Sequence, residues 1–332
     1  MRAPQFWARP PDRPGAIARM LLPFGRVFAA QTARRVRKGD SFRASVPVIC
    51  VGNLNVGGTG KTPTVIAVAQ RLSARGHHPH IISRGYGGTQ TEPLLVDGTR
   101  HKPTRVGDEP ILLAAFASTW VGADRVTAAR AAIKAGATCL ILDDGFQDPS
   151  LAKDLSIVVV DAEHGFGNGR VIPAGPLREP IGVGLARADH LLAIGEDTAQ
   201  DKFAQTYGLK PDLPVTLAEL KPLRTGMDWD GLRVLAFAGI GRPEKFFSML
   251  RKLGADIVRA EALSDHQPLT PALMKRLETQ AQVTGVQMVT TEKDAVRLPR
   301  DFRQKVLTVP VRLEIDPSSA LMRALDDFET GA

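Results

Sequence analysis

One short stretch of the chain combines residue types that can bind a nucleoside triphosphate. Residues 52–64 read Gly-Asn-Leu-Asn-Val-Gly-Gly-Thr-Gly-Lys-Thr-Pro-Thr and directly follow the apolar run 46–51. Closely spaced glycines let the backbone turn tightly and direct its N–H groups into one concavity, and a helix that begins there adds the positive end of its dipole. Lys61 would then lie beside the β- and γ-phosphates, and the Thr62 hydroxyl could coordinate Mg²⁺.

The spacing departs from the usual P-loop at one position. That motif has a glycine six residues before the lysine, where this chain has Asn55. Because asparagine tolerates left-handed backbone better than most residues, we expect an intact loop rather than a glycine-rich turn without a ligand. The residues predicted to bind the nucleotide are Asn55, Gly57, Gly58, Thr59, Gly60, Lys61, Thr62 and Pro63.

A second stretch places two carboxylates directly after an apolar strand. Residues 140–148 read Leu-Ile-Leu-Asp-Asp-Gly-Phe-Gln-Asp. The carboxyl edge of a parallel sheet is where a P-loop ligand lies, so either Asp143 or Asp144 would hold Mg²⁺, directly or through water. Two adjacent acids on an extended strand cannot both face one ion, which predicts different tasks for them. A helix cap or simple turn is the alternative.

Two further residues could take part in proton transfer. Asp108 lies in Gly-Asp-Glu-Pro before a helical pattern, where it could cap the helix or act as a general base on a substrate hydroxyl. His266 lies in Ser-Asp-His-Gln-Pro, and a lone histidine is more often a surface or satisfied core residue than a catalyst. The arginines near strand or loop ends, which could bind an anionic substrate or be solvated, are Arg84, Arg125, Arg130 and Arg178.

The excess positive charge is confined to the start of the chain. Residues 1–38 contain nine Lys or Arg and one acid, whereas the remainder has 34 basic and 34 acidic residues. The same arm interleaves apolar residues such as Trp7, Met20 and Phe24, which is typical of a helix at an anionic membrane surface. Packing on the protein's own core and binding of nucleic acid are the alternatives. No apolar stretch approaches the roughly 20 residues that span a bilayer.

Apolar strand patterns alternate with helical patterns along most of the chain, including a helical pattern from about 108 to 118. This alternation predicts an α/β fold, a P-loop NTPase-like, mostly parallel sheet flanked by helices, with a second smaller α/β domain. The predicted parts are a basic amphipathic arm at 1–40, a P-loop kinase core at 41–210, a hinge or hairpin linker at 211–231 and the smaller C-terminal domain at 232–332.

Several motifs follow one another along nearly the whole chain, at residues 51–53, 57–63, 83–87, 107–110, 143–147, 175–180, 265–266 and 291–296. In this order they resemble the tetraacyldisaccharide 4′-kinase (LpxK) family of lipid A biosynthesis in Gram-negative bacteria. The resemblance implies transfer of the ATP γ-phosphate to the 4′-hydroxyl of tetraacyldisaccharide 1-phosphate, which gives lipid IVA. It also implies Mg²⁺ and a peripheral position at the cytoplasmic face of the inner membrane.

The resemblance implies partners and residue roles as well. The partners are an acylated glucosamine disaccharide 1-phosphate and an anionic membrane surface, with neither nucleic acid nor an obligate protein partner. Asp108 would be the base, paired with His266 from the second domain, while Lys61 and Asp144 act at the reacting phosphate. The other implied residues are Thr62, Asp143, Asp144, Glu109 and Glu179 at the metal, and Arg84, Tyr86, Arg125, Gln147 and Arg178 at the disaccharide. The role of residues 291–296 stays open.

A protein of a different class is an alternative for the same chain. A P-loop ATPase or GTPase switch, or an assembly factor, would use the basic arm on DNA or membrane, and His266 would be incidental. A kinase should transfer phosphate to the lipid and hydrolyse little ATP without it, whereas a switch should hydrolyse nucleotide without an acceptor. A non-catalytic nucleotide-binding scaffold is a third alternative, which the complete set of acids disfavours.

Overall fold

The structure, a computed structural model, describes residues 3–37, 41–207, 212–265 and 267–328. They form two compact units. The larger unit contains Ala3–Leu220 and the described residues from Leu313 onward, and the smaller unit contains Lys221–Arg312. The predicted domain limits stay a prediction. The last described helix, Ala320–Asp326, packs in the core of the larger unit.

Strands and helices alternate along the chain, as the apolar patterns predict. Among the described residues the strands are β1 Val48–Gly52, β2 Pro79–Ser83, β3 Leu94–Leu95, β4 Ser118–Val121, β5 Cys139–Asp143, β6 Leu155–Asp161, β7 His190–Ile194, β8 Val215–Pro222, β9 Arg233–Ala238, β10 Asp256–Ala262, β11 Gln287–Thr291, β12 Val306–Val309 and β13 Val311–Ile315. The helices are α1 Ala16–Met20, α2 Leu22–Arg37, α3 Lys61–Ala74, α4 Pro103–Val106, α5 Asp108–Leu113, α6 Arg125–Lys134, α7 Ile181–Leu185, α8 Asp197–Tyr207, α9 Pro243–Lys252, α10 Pro271–Thr284, α11 Glu292–Ala295, α12 Arg300–Arg303 and α13 Ala320–Asp326, with a 3-10 turn at Gln5–Ala8.

The larger sheet has β1 near its centre. Within the described chain its strand order is β13-β8-β7-β6-β1-β5-β2-β4-β3. Parallel pairing runs from β1 through β5 and β2 to β4 on one side, and through β6 and β7 to β8 on the other, while the short β3 is antiparallel to β4. Because β1 and β5 are adjacent and parallel, the residues that follow them emerge at the same edge.

Helices cover both faces of this sheet. Alternate residues of β1 point to opposite faces, so Cys50 lies in one core cluster with Ala128 of α6, and Ile49 lies in another with Val65 of α3. Leu325 of α13 joins the second cluster. Burial of each such aliphatic side chain contributes on the order of 1.5–3 kcal/mol. The two-sided core confirms the predicted α/β sheet and holds α3 firmly behind the turn that follows β1.

The smaller unit repeats the design with four strands. Its order is β10-β9-β11-β12, and each recorded pair is parallel. Phe247 of α9 packs with Val234 on one face, and Leu277 of α10 packs with Leu235 on the other. This sheet confirms the predicted second α/β unit.

The structure differs from the sequence prediction after Asp108. The helix expected to run to residue 118 ends at Leu113, where the N–H groups of Phe116 and Ala117 donate to the Leu113 carbonyl and close the turn. Ser118–Val121 then forms β4 between β2 and β3. Its β-branched and aromatic residues suit a strand, but the neighbouring strands that pair with it are distant in sequence.

The N-terminal helices α1 and α2 have packed and exposed sides. A Cβ added at Gly25 would lie 2.9 Å from the Val171 carbonyl oxygen, and Phe28 packs against the buried core. Other apolar side chains of these helices are more than half exposed, namely Ile17, Met20, Phe24 and Val27. No helix in the described ranges is both long enough and apolar enough to span a bilayer.

Candidate active site

The residues after β1 form an open turn that leads into α3. Gly57 and Gly60 have φ angles of +114° and +99°, which residues with side chains rarely adopt. A Cβ at Gly60 would also lie 2.5 Å from Ile194 Cδ1, whereas one at Gly57 or Gly58 would meet no described atom within 4 Å. Glycine is therefore required at Gly60, and the turn is open on its Gly57 side.

The start of α3 faces this turn. The helix begins at Lys61, and the N-cap residue Gly60 has no side chain that could accept hydrogen bonds from the first-turn N–H groups. These donors and the positive end of the helix dipole suit the oxygens of a phosphate. Thr62 and Pro63 lie in the same first turn and are partly exposed.

Asn53 holds the turn from inside. Its side chain is fully buried, and Nδ2 donates to Thr59 Oγ1 at 3.0 Å and to the Gly57 carbonyl at 3.4 Å. One side chain thereby fixes both arms of the turn. The sequence prediction gave Asn53 no role of its own, although a polar residue directly after a fully buried strand was a usable signal.

Asn55 replaces the first glycine of the usual P-loop motif. Its side chain is buried, and Nδ2 donates to the Gly165 carbonyl at 3.0 Å. The Arg178 N–H donates to the Leu54 carbonyl at 2.7 Å, so the segment that carries Arg178 runs beside the turn. The Asn55 side chain thus braces the loop, and its contact with nucleotide stays a prediction.

Lys61 and Asp144 meet at the open side of the turn. Lys61 Nζ lies 3.7 Å from Asp144 Oδ1, and Arg178 donates to both oxygens of Asp144 at 2.9 and 3.1 Å. Burial lowers the pKa of Lys61, although the charge of Asp144 opposes this. Burial alone would raise the pKa of Asp144, but Lys61 and Arg178 outweigh it and hold that pKa below its usual value. Asp144 is therefore an anion set between two cations.

Asp143 has a different environment from its neighbour. It is 7% exposed, and Ser83 Oγ donates to its Oδ2 at 3.0 Å. Burial, with the adjacent charge of Asp144, raises the pKa of Asp143 to about 6, and Glu109 adds to this shift. The charge of Glu109 also opposes the lowering of the Lys61 pKa by burial, so its carboxylate acts on the same site. The two adjacent acids thus have pKa values shifted in opposite directions, and their different tasks stay a prediction.

Arg125 supports the backbone of the aspartate turn. Its guanidinium donates to the carbonyls of Asp143 and Asp144 at 3.0 Å each and pairs with Asp148 Oδ2 at 2.6 Å. Asp144 has a φ of +53°, a left-handed conformation that costs free energy in a residue other than glycine. The arginine is 5% exposed. This geometry favours support of the turn, and a contact of Arg125 with the substrate stays a prediction.

Gln147 and Glu179 form a buried network beside the turn. Gln147 Nε2 donates to the Asn53 carbonyl and to Glu179 Oε1, both at 2.9 Å, and Arg178 donates to Gln147 Oε1 at 3.2 Å. Glu179 is 3% exposed and pairs with Arg187 at 2.6 Å. The network links the turn to the Arg178 segment. The predicted metal role of Glu179 and substrate role of Gln147 stay predictions, while Arg187 was missed because no motif surrounds it.

The segment before Asp108 packs against the segment that carries Tyr86. A Cβ at Gly107 would lie 2.7 Å from the Tyr86 carbonyl oxygen, and the Thr89 N–H donates to the Arg105 carbonyl at 3.0 Å. Asp108 is the first residue of α5 and follows the N-cap Gly107, so it is not the cap itself. Tyr86 is 79% exposed, and Arg84, which precedes it, is also exposed. The start of α5 thus lies beside the backbone segment that carries these two exposed side chains.

Sequence comparison assigns a family to this arrangement. The family described as LpxK, tetraacyldisaccharide-1-P 4′-kinase, matches residues 17–329. The chain belongs to this kinase family. A tetraacyldisaccharide 4′-kinase of Jannaschia sp. (strain CCS1) is 59% identical over 326 residues, 98% of each chain. One of Dinoroseobacter shibae is 57% identical over 327 residues, 98% of this chain and 97% of that protein.

A solved member of the kinase family has the same fold. The crystal structure of "apo" form LpxK from Aquifex aeolicus in complex with ATP superimposes with a TM-score of 0.74 at 25% sequence identity. The match covers 93% of this chain and 98% of that chain. The kinase resemblance stated from the motifs is thereby confirmed.

The structure brings most of the predicted kinase residues to one sheet edge. Contacts or electrostatic effects join Lys61, Asp143, Asp144 and Glu109 to the turn after β1. His266 lies outside the described residues. The supporting residues that sequence reasoning missed are Asn53, Ser83, Asp148 and Arg187.

Proposed function

We propose that this chain transfers the γ-phosphate of ATP to the 4′-hydroxyl of tetraacyldisaccharide 1-phosphate, giving lipid IVA. The observation that carries this proposal is the meeting of Lys61 and Asp144 at the open turn, in a member of the kinase family. A loose phosphoryl-transfer transition state needs positioning and charge stabilisation rather than covalent chemistry. A lysine held by a carboxylate at a phosphate-binding turn supplies both.

ATP fits the turn for two reasons. The absence of described atoms near Gly57 and Gly58 leaves room for phosphate oxygens, and the uncapped start of α3 offers backbone donors to them. Lys61 would contact the β- and γ-phosphates. The Asp144 carboxylate holds the Lys61 ammonium group at the open side of the turn.

Mg²⁺ fits the donor set beside the turn. A buried carboxylate whose pKa rises to about 6 next to a second carboxylate, as at Asp143, gains from a divalent cation. Thr62, Asp143 and Asp144 would hold the ion, with Glu109 and Glu179 as further candidates. When bound, Mg²⁺ neutralises phosphate charge.

Asp108 would act as the general base, with His266 orienting it or relaying the proton. As the 4′-oxygen bonds to the γ-phosphorus, Asp108 accepts the hydroxyl proton, and the bond from phosphorus to the bridging oxygen breaks to release ADP. Arg84 and Tyr86 would contact the disaccharide, which their exposure beside the Asp108 segment supports. The disaccharide would also be contacted directly, or its contacts supported, by Arg178, Gln147 and Arg125.

The direct test uses purified protein, labelled ATP, Mg²⁺ and tetraacyldisaccharide 1-phosphate. We expect a bisphosphorylated lipid and little ATP hydrolysis without the acceptor. Acceptor-independent hydrolysis with no labelled lipid would favour a P-loop switch instead.

Replacement of Asp108 tests the proposed base. Asp108→Asn should lower kcat by about 10²-fold, because the hydroxyl proton loses its acceptor. Steady-state kinetics should show an unchanged KM for ATP. An effect on the acceptor KM alone would contradict the base assignment and favour a binding role.

We also propose that the enzyme works peripherally at the cytoplasmic face of the inner membrane. The exposed apolar side chains of α1 and α2 lie among arginines, a combination that binds anionic lipid. Double replacement of Met20 and Phe24 by Ser should weaken binding to vesicles that contain anionic lipid by about tenfold, measured by co-sedimentation. Val283→Ser is a matched control, since Val283 is 81% exposed in the smaller unit. Equal binding by both variants would contradict the proposal.

A further inference from the structure

The 3-10 turn at the start of the N-terminal arm is hydrogen-bonded to one loop of the larger unit. The Trp7 carbonyl accepts from the Asn168 N–H at 2.9 Å, and the Trp7 indole Nε1 donates to the Pro173 carbonyl at 3.1 Å. The Phe6 carbonyl accepts from Asn168 Nδ2 at 3.2 Å. Phe6 and Trp7 are both partly buried, unlike the exposed apolar side chains of α1 and α2. The turn therefore belongs to the packed part of the arm.

Asn168 joins this turn to the loop from inside. The residue is fully buried, and its Nδ2 also donates to the Ala174 carbonyl at 2.9 Å, while its Oδ1 accepts from the Arg170 N–H at 3.1 Å. A Cβ at Gly175 would lie 2.1 Å from that Oδ1, so the backbone closes tightly around the amide. A buried amide bonded through both its nitrogen and its oxygen holds its neighbours in one arrangement.

The far end of the same loop lies along the phosphate-binding turn. The Val56 N–H donates to the Pro176 carbonyl at 2.7 Å, and the Arg178 N–H donates to the Leu54 carbonyl at 2.7 Å. The Arg178 side chain donates to both oxygens of Asp144 at 2.9 and 3.1 Å. One stretch of chain, residues 168–178, thus runs from the first turn of the arm to the carboxylate of the candidate active site.

This 168–178 loop is bonded across its own width. The Leu177 N–H donates to the Arg170 carbonyl at 3.0 Å, and the Ile172 N–H donates to the Leu177 carbonyl at 2.9 Å. Helix α2 packs on it as well, since a Cβ at Gly25 would lie 2.9 Å from the Val171 carbonyl oxygen. Separate movement of the two halves would break these bonds and leave backbone groups unpaired, which costs free energy. A displacement at the arm is therefore carried to Arg178.

We propose that Trp7 and Asn168 are positioning residues for phosphoryl transfer, which act through the 168–178 loop to hold Arg178 against Asp144. This inference rests on the proposed function, in which Asp144 acts at the reacting phosphate. The arm then has two separate tasks. Its first turn supports the site, independently of lipid, while the exposed faces of α1 and α2 contact the membrane. The contacts that carry the first task lie within the larger unit.

A second tryptophan of the chain offers a matched control. Trp120 lies in β4, is partly buried like Trp7, and donates from its Nε1 to His80 Nδ1 at 3.2 Å. His80 lies near the amino end of β2, whereas the site lies at the carboxyl ends of the strands. Trp7→Phe and Trp120→Phe make the same chemical change, and each removes one indole hydrogen bond, but only the first bond leads to the 168–178 loop.

The test measures transfer to the lipid by full-length variants. Trp7→Phe should lower kcat about fivefold, because a small misplacement of groups at the reacting phosphate is costly, with the KM for ATP within twofold of wild type. Trp120→Phe should keep kcat within twofold. An unchanged kcat in folded Trp7→Phe, or an equal loss in Trp120→Phe, would overturn the proposal.

Vesicle binding separates the two tasks of the arm. Co-sedimentation with vesicles that contain anionic lipid should be the same for Trp7→Phe and wild type, because the lost hydrogen bond is internal to the protein. Weaker binding that accounts for the lower kcat would show that Trp7 contacts lipid, and the positioning role would be wrong.

A double-mutant cycle tests whether the effect passes through Arg178. When Arg178 is already replaced by Gln, Trp7→Phe should cause no further loss of kcat in single-turnover transfer, since residues that serve one interaction are not additive. A further fivefold loss in the Arg178→Gln background would overturn the proposal.

Two further outcomes keep the test decisive. If Trp7→Phe does not fold, Asn168→Ser replaces it, because serine has no amide donors for the Phe6 and Ala174 carbonyls; the same loss of kcat, absent in the Arg178→Gln background, is expected, and additive losses would overturn the proposal. If the wild-type chain transfers no phosphate, the proposed function fails and this inference fails with it. Normal wild-type transfer with additive losses overturns this inference alone.

Discussion

Two strands of this molecule, one in each unit, are followed by aspartates that have opposite environments. After β5, Asp144 has a side chain that is 34% exposed, and it faces Lys61 and Arg178. After β11, Asp294 is 0% exposed and bonded to a backbone N–H, a hydroxyl and Arg297. Asp144 directly follows β5, and Asp294 lies in α11, which directly follows β11; both strands pair in parallel with a neighbour.

The difference shows that position at a strand end does not make an acid part of a reaction site. A carboxylate whose bonding capacity is filled inside the fold keeps loops in place, whereas one that faces cations at an open turn can act on a ligand. Asp148 is an acid of the first type, bonded within the fold, although it lies beside the open site. Arg125 and the Ser150 N–H bind its carboxylate.

The largest expected effect concerns the open region. Lys61→Ala should lower kcat by about 10³-fold, because a preorganised cation at the transferred phosphate is lost. The free energy of unfolding should change little. Single-turnover phosphate transfer and urea denaturation measure the two quantities. Retention of most activity would contradict the P-loop assignment.

A pair of conservative variants tests the contrast itself. Asp294→Asn should lower the free energy of unfolding by about 3 kcal/mol, because it leaves Arg297 buried without its partner. Asp144→Asn should change it by about 1 kcal/mol or less, since that side chain is partly solvated, yet should abolish most transfer. Urea denaturation of both variants provides the measurement. Equal losses of stability in the two variants would contradict the proposed difference between the two aspartates.

Asp148 sharpens the comparison through pH. Burial opposes ionisation, but hydrogen bonds from Ser150 and the charge of Arg125 lower the pKa of Asp148 to about 2. An acid whose pKa is depressed on folding stabilises the protein above its unfolded pKa, near 4, and this contribution is lost as the pH falls toward 2. Asp148→Asn should therefore lower the free energy of unfolding by about 1 kcal/mol at pH 7, since the side chain is partly solvated, and by much less at pH 2.5.

Urea denaturation of wild type and Asp148→Asn at the two pH values measures this difference. A stability difference that is the same at both would show that packing, rather than charge, makes the contribution. In that case the contribution of Asp148 to stability would not depend on its ion pair with Arg125.

The parts of the site that sequence predicted best are those set by neighbours along the chain. The turn after β1 and the start of α3 follow from glycine spacing and an apolar run. The helical pattern predicted to run to residue 118 ends at Leu113, and strand Ser118–Val121 was missed because its pairing with β2 and β3 involves residues far away in sequence.

Sequence alone determined the nucleotide turn, the alternation of strands and helices along most of the chain, and the acids that follow β5, because glycine positions and hydrophobic periodicity act over a few residues. The tertiary structure decided which arginine meets which acid. Arg178 binds Asp144, Arg125 binds Asp148, and Arg187 binds Glu179. An arginine carries the same charge wherever it lies in a sequence, so the sequence does not show which acid it will pair with. The pairing depends on the packing that brings distant segments together. The acids that act on a ligand and those that hold the fold together are distinguished by this pairing.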